Sequence, residues 1–193
     1  MTQIDQQQQA QTPALLRRFM PLIIFALILI FLGVGMTLNP RQIPSNLLNK
    51  PVPHFELPLL YQPDVKVTQD ELMREGIVVV NFFASWCAPC RVEHESLKTL
   101  SKRQDVTLYG MSYKDKASHA KAFLEQLGDP YDGVIVDARG RTAIDFGLTG
   151  PPETFIIKDG IIKHQHIGPI HPWELEDKII SIIEEIKRAP SQP

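Results

Sequence analysis

Apolar and polar positions along this chain fall into blocks of different period, and each period predicts an element. The first block, Met20 to Leu38 (MPLIIFALILIFLGVGMTL), carries no charge and is apolar on every face, which suits lipid rather than one side of a protein core. As a helix it reaches roughly 28 Å, against an apolar bilayer thickness of about 30 Å. Pro21 is expected in its first turn, and Gly33 and Gly35 are tolerated in membrane helices. A cleaved signal peptide is the competing reading, since Gly33-Val34-Gly35 is a small-x-small pattern; a signal core, however, usually spans only about 7 to 15 residues.

From Pro51 onward, strand and helix periods alternate. Ile77 to Ala84 (IVVVNFFA) is a nearly continuous apolar run rich in β-branched and aromatic residues, which predicts a central strand buried on both faces. A helix is expected from Ala88 to Arg103, a strand over Val106 to Met111, and a helix from Asp115, as its cap, to Leu127, with Gly128 ending it. Val134 to Asp137 predicts a short strand, and Asp137 reads as a turn residue. Thr154 to Lys158 and Ile161 to Ile167 are joined by Asp159-Gly160, the signature of a type I′ hairpin. Leu175, Ile179, Ile182, Ile183 and Ile186 then line one face of a last helix, with Pro172 in its first turn and Lys187-Arg188 at its negative end. Strand–helix–strand units followed by a hairpin imply an α/β fold: a mixed sheet sandwiched by helices.

The polar, Gln-rich start and the proline-bearing stretch after the apolar run complete the organisation. It is a cytoplasmic N-terminal tail at 1–19, a transmembrane anchor at 20–38, a linker at 39–50 and a globular domain at 51–193. Arg17 and Arg18, directly against the span, favour an N-terminus inside the cell and a domain outside the cytoplasm, although Arg41 and Lys50 follow the span. A formal net charge of −2 gives no polyanion-binding surface, so nucleic acid is excluded as a partner.

Both cysteines lie in Ala84 to Arg91, ASWCAPCR, where the buried strand gives way to a helix. A staple closing so short a loop removes little unfolded-state entropy. A structural zinc needs four ligands, and only His94 lies near the two sulfurs in sequence. A redox couple remains: Cys87 at a helix N-terminus, beside unpaired backbone N–H groups that favour a thiolate, and Cys90 one turn further in to resolve what Cys87 captures. Trp86 is expected to shield the dithiol and touch partners. No cofactor beyond the redox-active disulfide is called for.

A WCxxC at a strand-to-helix junction, followed by Gly150-Pro151-Pro152-Glu153-Thr154-Phe155 opening a hairpin, resembles the thioredoxin superfamily. With the apolar N-terminus, WCAPCRVEH, GMSYKDK and GPPETFIIKDG, the similarity narrows to the CcmG or DsbE type of cytochrome c biogenesis thiol:disulfide interchange proteins. That resemblance implies a thioredoxin-like domain with a cis-proline at Pro152 beside the cysteines, Glu93 in an acidic environment that tunes the couple, and Glu153 by the partner groove. It also implies a single-pass protein of the bacterial inner membrane with its domain in the periplasm. The implied activity is reduction of the haem-site cysteines of apocytochrome c, or of a carrier protein in cytochrome c maturation, with electrons from a membrane donor of DsbD or CcdA type. Rival readings are a tethered reductant for copper-site assembly or general disulfide repair, and a non-catalytic apocytochrome holder.

Overall fold

The computed structural model describes residues 14–37 and 47–189. Of the expected N-terminal tail, 1–19, residues 1–13 lie outside the described residues, as does most of the expected linker, 39–46; residues 14–19 are helical instead of tail. The first described unit is one helix, α1 (Ala14–Thr37), in which Arg18–Gly35 has a mean hydropathy of 2.4 and is long and apolar enough to cross a membrane. It begins earlier than the uncharged run, so Pro21 lies inside the helix instead of in its first turn. Membrane helices accommodate such an interruption.

The second unit is an α/β domain. A short antiparallel pair, β1 (Glu56–Pro58) and β2 (Lys66–Thr68), precedes a five-stranded sheet of β3 (Ile77–Phe83), β4 (Val106–Tyr113), β5 (Gly133–Asp137), β6 (Glu153–Lys158) and β7 (Ile161–Ile167). The sheet order is β5-β4-β3-β6-β7, with β3, β4 and β5 mutually parallel and β6 and β7 antiparallel to their neighbours. Helices α2 (Ala88–Leu100) and α3 (Ala117–Leu127) supply the parallel crossovers, α4 (Arg141–Asp145) follows β5, and a helical segment closes the chain. That last segment runs as α5 (Pro172–Glu174), a π-helical stretch over Leu175–Ile180 and α6 (Ser181–Arg188).

Every residue of β3 is buried, as its apolar run predicts. Alternation divides its side chains between two layers: Val78, Val80 and Phe82 face one core with Phe146 and Phe155, while Ile77 and Val79 face a second with Leu97, Leu100, Ile179 and Ile183. Phe82 meets Phe146 and Phe155 edge-on at centroid distances of 5.3 and 5.5 Å. The β6–β7 turn places Asp159 (φ 51°) and Gly160 (φ 78°) in the left-handed region, as a type I′ turn requires.

Several expectations are corrected by tertiary contacts. Leu47–Lys50, assigned to the linker, belong to the domain: Asn49 N–H donates to the Ile162 carbonyl at 2.8 Å and Ile162 N–H to that of Lys50 at 3.0 Å. Strand β4 continues to Tyr113 because Ser112 and Tyr113 pair with Val136 and Asp137. Helix α2 ends at Leu100, short of Arg103, with Ser101 capping it. Asp115 does not cap α3, which starts at Ala117; its carboxylate is drawn instead to Ser85 N–H at 2.6 Å. Asp137 is more than a turn residue, since its carboxylate accepts from Arg141 N–H (3.0 Å) and Ala143 N–H (2.8 Å) and so holds the start of α4.

Phe82 is fully buried in the aromatic trio, so Phe82→Ala leaves a cavity that the sheet cannot close. The expected cost is about 3 to 5 kcal/mol in denaturant unfolding of the full-length protein; a loss near 1 kcal/mol would contradict this packing.

Candidate active site

Where β3 ends, the chain turns once before α2 begins. Cys87 N–H donates to the Ala84 carbonyl at 3.1 Å, and Asp115 grips Ser85 N–H from the far side of the turn. Cys87 is the N-cap of α2, and its Sγ accepts from Cys90 N–H at 3.2 Å, the place a serine or aspartate oxygen takes at an ordinary helix start. Pro89 lies in the first turn, where a missing N–H costs nothing. Cys87 and Cys90 form a disulfide with a Cα–Cα separation of 5.3 Å, and both are buried, packed with Phe83, Ala84, Ala120 and Phe123.

Trp86 stands beside them with 59% of its surface exposed. Its indole N–H donates to the Lys114 carbonyl at 3.3 Å, and its ring lies 6.4 Å from Tyr113. The WCAPC and GMSYKDK stretches thus meet: GMSYKDK supplies both the Asp115 carboxylate under Ser85 and the carbonyl under Trp86.

The Pro151–Pro152 peptide is cis. Glu153 is fully buried beneath this loop, so it is not a surface group of the groove. Its Oε1 accepts from Thr149 N–H (2.8 Å), the Thr149 hydroxyl and Gly150 N–H (3.1 Å), and its Oε2 accepts from Gln165 at 2.6 Å. A carboxylate so surrounded by donors holds the loop from below. Pro151 and Pro152 both lack an N–H, and the Pro152 carbonyl accepts from Gly168 N–H at 3.0 Å, so this loop offers a partner strand no donor at either proline.

Glu93 lies one helical turn beyond Cys90 and is also fully buried. Its Oε1 accepts from the Asn81 side-chain amide at 2.9 Å and its Oε2 from Ile170 N–H at 3.1 Å. Burial pushes its carboxyl up to about 7, against the lowering effect of those two donors. Asn81 also donates to the Thr154 hydroxyl at 3.0 Å and accepts from the Tyr131 hydroxyl at 2.7 Å. Neither Asn81 nor Tyr131 was singled out from sequence; the available signal was an amide inside an otherwise apolar strand. His94, the one imidazole near the cysteines in sequence, is turned to the Gly128 carbonyl at 2.7 Å, and burial lowers its pKa.

A disulfide at the strand-to-helix junction after β3, with a cis-proline peptide opening the strand paired to β3, defines a thiol:disulfide oxidoreductase of thioredoxin-like fold working through a Cys-X-X-Cys dithiol. The redoxin family matches residues 47–179. The thiol:disulfide interchange protein DsbE of Allochromatium vinosum is 39% identical over 168 residues, 86% of this chain and 92% of that protein. DsbE of Pseudomonas aeruginosa is 36% identical over 172 residues, 89% and 94% of the two chains. A crystal structure of a Chlorobium tepidum protein assigned as DsbE superposes with a TM-score of 0.60 at 25% identity, covering 70% of this chain and 97% of that one. The chain belongs to the redoxin family and, within it, to the DsbE-type, or CcmG-type, thiol:disulfide interchange proteins.

Glu93 makes stability depend on pH in a defined direction. Its folded-state pKa lies above its ordinary 4.5, so between that value and about 7 the folded protein keeps a proton that the unfolded chain has released. Stability therefore falls as pH rises through this window, by roughly 3 kcal/mol in all. The buried His94 and His166 and the half-buried His164, with lowered pKa values, act in the opposite sense, so Glu93→Gln must be compared with the parent. The difference in unfolding free energy should open in favour of Glu93→Gln between pH 5 and 8; a difference that stays flat would contradict the assignment.

Proposed function

We propose that this protein is a membrane-tethered, periplasm-facing reductant that keeps the haem-site cysteines of apocytochrome c, or of a carrier thiol protein, reduced during cytochrome c maturation. In this reading the uncharged run of α1, from Met20 onward, is the uncleaved single-pass anchor in the bacterial inner membrane, residues 1–19 are cytoplasmic, and the thioredoxin-like domain lies outside. The observation that carries it is the position of Cys87: its sulfur sits at the N-cap of a helix and accepts a backbone N–H, a setting that favours a thiolate once the disulfide is reduced.

The cycle follows from the two sulfurs. The Cys87 thiolate attacks a partner disulfide, forming a mixed disulfide and releasing one partner thiolate. Cys90, as thiolate, then attacks Cys87 Sγ, which forms the intramolecular disulfide and frees the second partner cysteine. Two electrons pass to the partner, and a membrane donor of DsbD or CcdA type returns them by the reverse exchange. Trp86 and the Pro152 loop receive the partner chain, Glu153 holds that loop, and the buried Glu93 tunes the couple from behind Cys90. A periplasm is kept oxidising, so free thiols for haem attachment need such a supply.

Cys90→Ala leaves Cys87 able to capture but not release, so the full-length variant should accumulate mixed disulfides through Cys87. Recovery of apocytochrome or cytochrome maturation proteins supports the assignment. Recovery of copper-site assembly proteins alone, or of a broad set of unrelated disulfide proteins, would replace it with one of the rival reductants. Cytochrome c maturation that survives replacement of both cysteines by serine would point to a non-catalytic holder.

A further inference from the structure

The sheet builds a gap beside Asn81 and then fills it. In register, Asn81 on β3 lies between Thr154 on β6 and Gly110 on β4, so the three side-chain positions share one face of the sheet. Gly110 presents no side chain there, and the ring of Tyr131 occupies the space: a Cβ added at Gly110 would come within 2.8 Å of Tyr131 Cδ2 and Cε2. Stacking on Phe83, with centroids 5.3 Å apart, fixes the ring from another side. The hydroxyl is thereby aimed at Asn81 Oδ1, 2.7 Å away.

This contact decides which way the amide faces. With Oδ1 accepting from Tyr131, both Nδ2 hydrogens point away, one to Glu93 Oε1 and the other to the Thr154 hydroxyl. The buried amide is fully satisfied in this orientation, and turning it over would set its carbonyl against the Glu93 carboxylate.

We infer that Tyr131 and Asn81 are positioning residues for Glu93: the tyrosine hydroxyl, seated over Gly110, locks the asparagine so that it donates to the Glu93 carboxylate, and so sets when that carboxyl carries a proton behind Cys90. The inference rests on the reading that Glu93 tunes the dithiol. It extends that reading to two residues of the sheet's interior that the sequence patterning did not single out. The donors on Glu93 are Asn81 and Ile170 N–H, and the titratable side chain that senses its charge is Tyr131. The nearest imidazole by register is His166, opposite Thr154, which responds to burial, Lys178, Glu174, the Pro169 carbonyl and His171. From α2 itself, Cys90 faces the same interior one turn away.

The test uses full-length oxidised protein in detergent micelles, where the disulfide removes both thiols from the titration, and follows the Glu93 carboxyl by carbon-13 NMR against Glu93→Gln. Tyr131→Phe deletes one hydroxyl and lets the amide turn, so the Glu93 midpoint should rise by about one pH unit. In reduced protein, the pH profile of exchange with glutathione disulfide should shift the same way, and Tyr131→Phe should cause no shift once Glu93 is glutamine. An unmoved Glu93 midpoint, or a profile shift that persists in the Glu93→Gln background, would overturn the inference. If Glu93→Gln alone left the exchange profile unchanged, the tuning role of Glu93 would fail, while the carbon-13 midpoint would still judge the positioning. Should Tyr131→Phe not fold, the unmodified protein answers: the Asn81 side-chain amide protons should titrate with the Glu93 midpoint, and their insensitivity to pH would reject the coupling.

Discussion

The hydrogen bond from Cys90 N–H to Cys87 Sγ is the contact around which the domain is arranged. Helix α2 needs an N-cap, and sulfur is a weaker acceptor than the oxygen of serine or aspartate, so capping alone does not explain the choice. A thiolate repairs that weakness: negative charge on Sγ strengthens the bond, and the unpaired N–H groups of the first turn stabilise the charge in return. The cap seen in the disulfide form and the nucleophile of the reduced form are thus the same atom. The burial of β3 fixes where this happens, because the strand carries the chain through the middle of the sheet and ends it at Phe83.

Three buried carboxylates surround this contact, and each does a different job because each meets different donors. Asp115 holds the turn before Cys87 through Ser85 N–H, and Glu153 holds the cis-proline loop through two backbone amides and two side chains. Glu93 has two donors and is fully buried, and burial pushes its carboxyl up toward neutral pH. Two of these groups hold the Ser85 turn and the cis-proline loop, and the third, one helical turn beyond Cys90, can exchange a proton.

Much of this could be read from the chain because it rests on local physics. The uncharged run that became α1, the apolar block of β3 and the Asp159-Gly160 turn all announce themselves by composition and period. CAPC at a strand end placed the dithiol for the same reason. What was missed depends on distant partners. The short β1–β2 pair and α4 carry weak periodicity, and the start of α4 is held by the Asp137 carboxylate. Asp115 looked like a helix cap because its spacing fits one; a residue thirty positions earlier took it instead. The resemblance put Glu153 by the partner groove, and only the folded loop shows four donors waiting for its buried carboxylate. Register explains the Tyr131 site: Gly110 and Asn81 become neighbours only when β3 and β4 pair.

The most direct measurement is the ultraviolet absorbance of thiolate in the reduced full-length protein, followed against pH in parallel with the Cys90→Ala variant. The account predicts that Cys87 ionises well below the free-cysteine value of about 8.5, and that Cys90 in the intact pair ionises later. If Cys87 instead titrated at or above that value, the helix start would not be holding an anion, and the central claim would be contradicted.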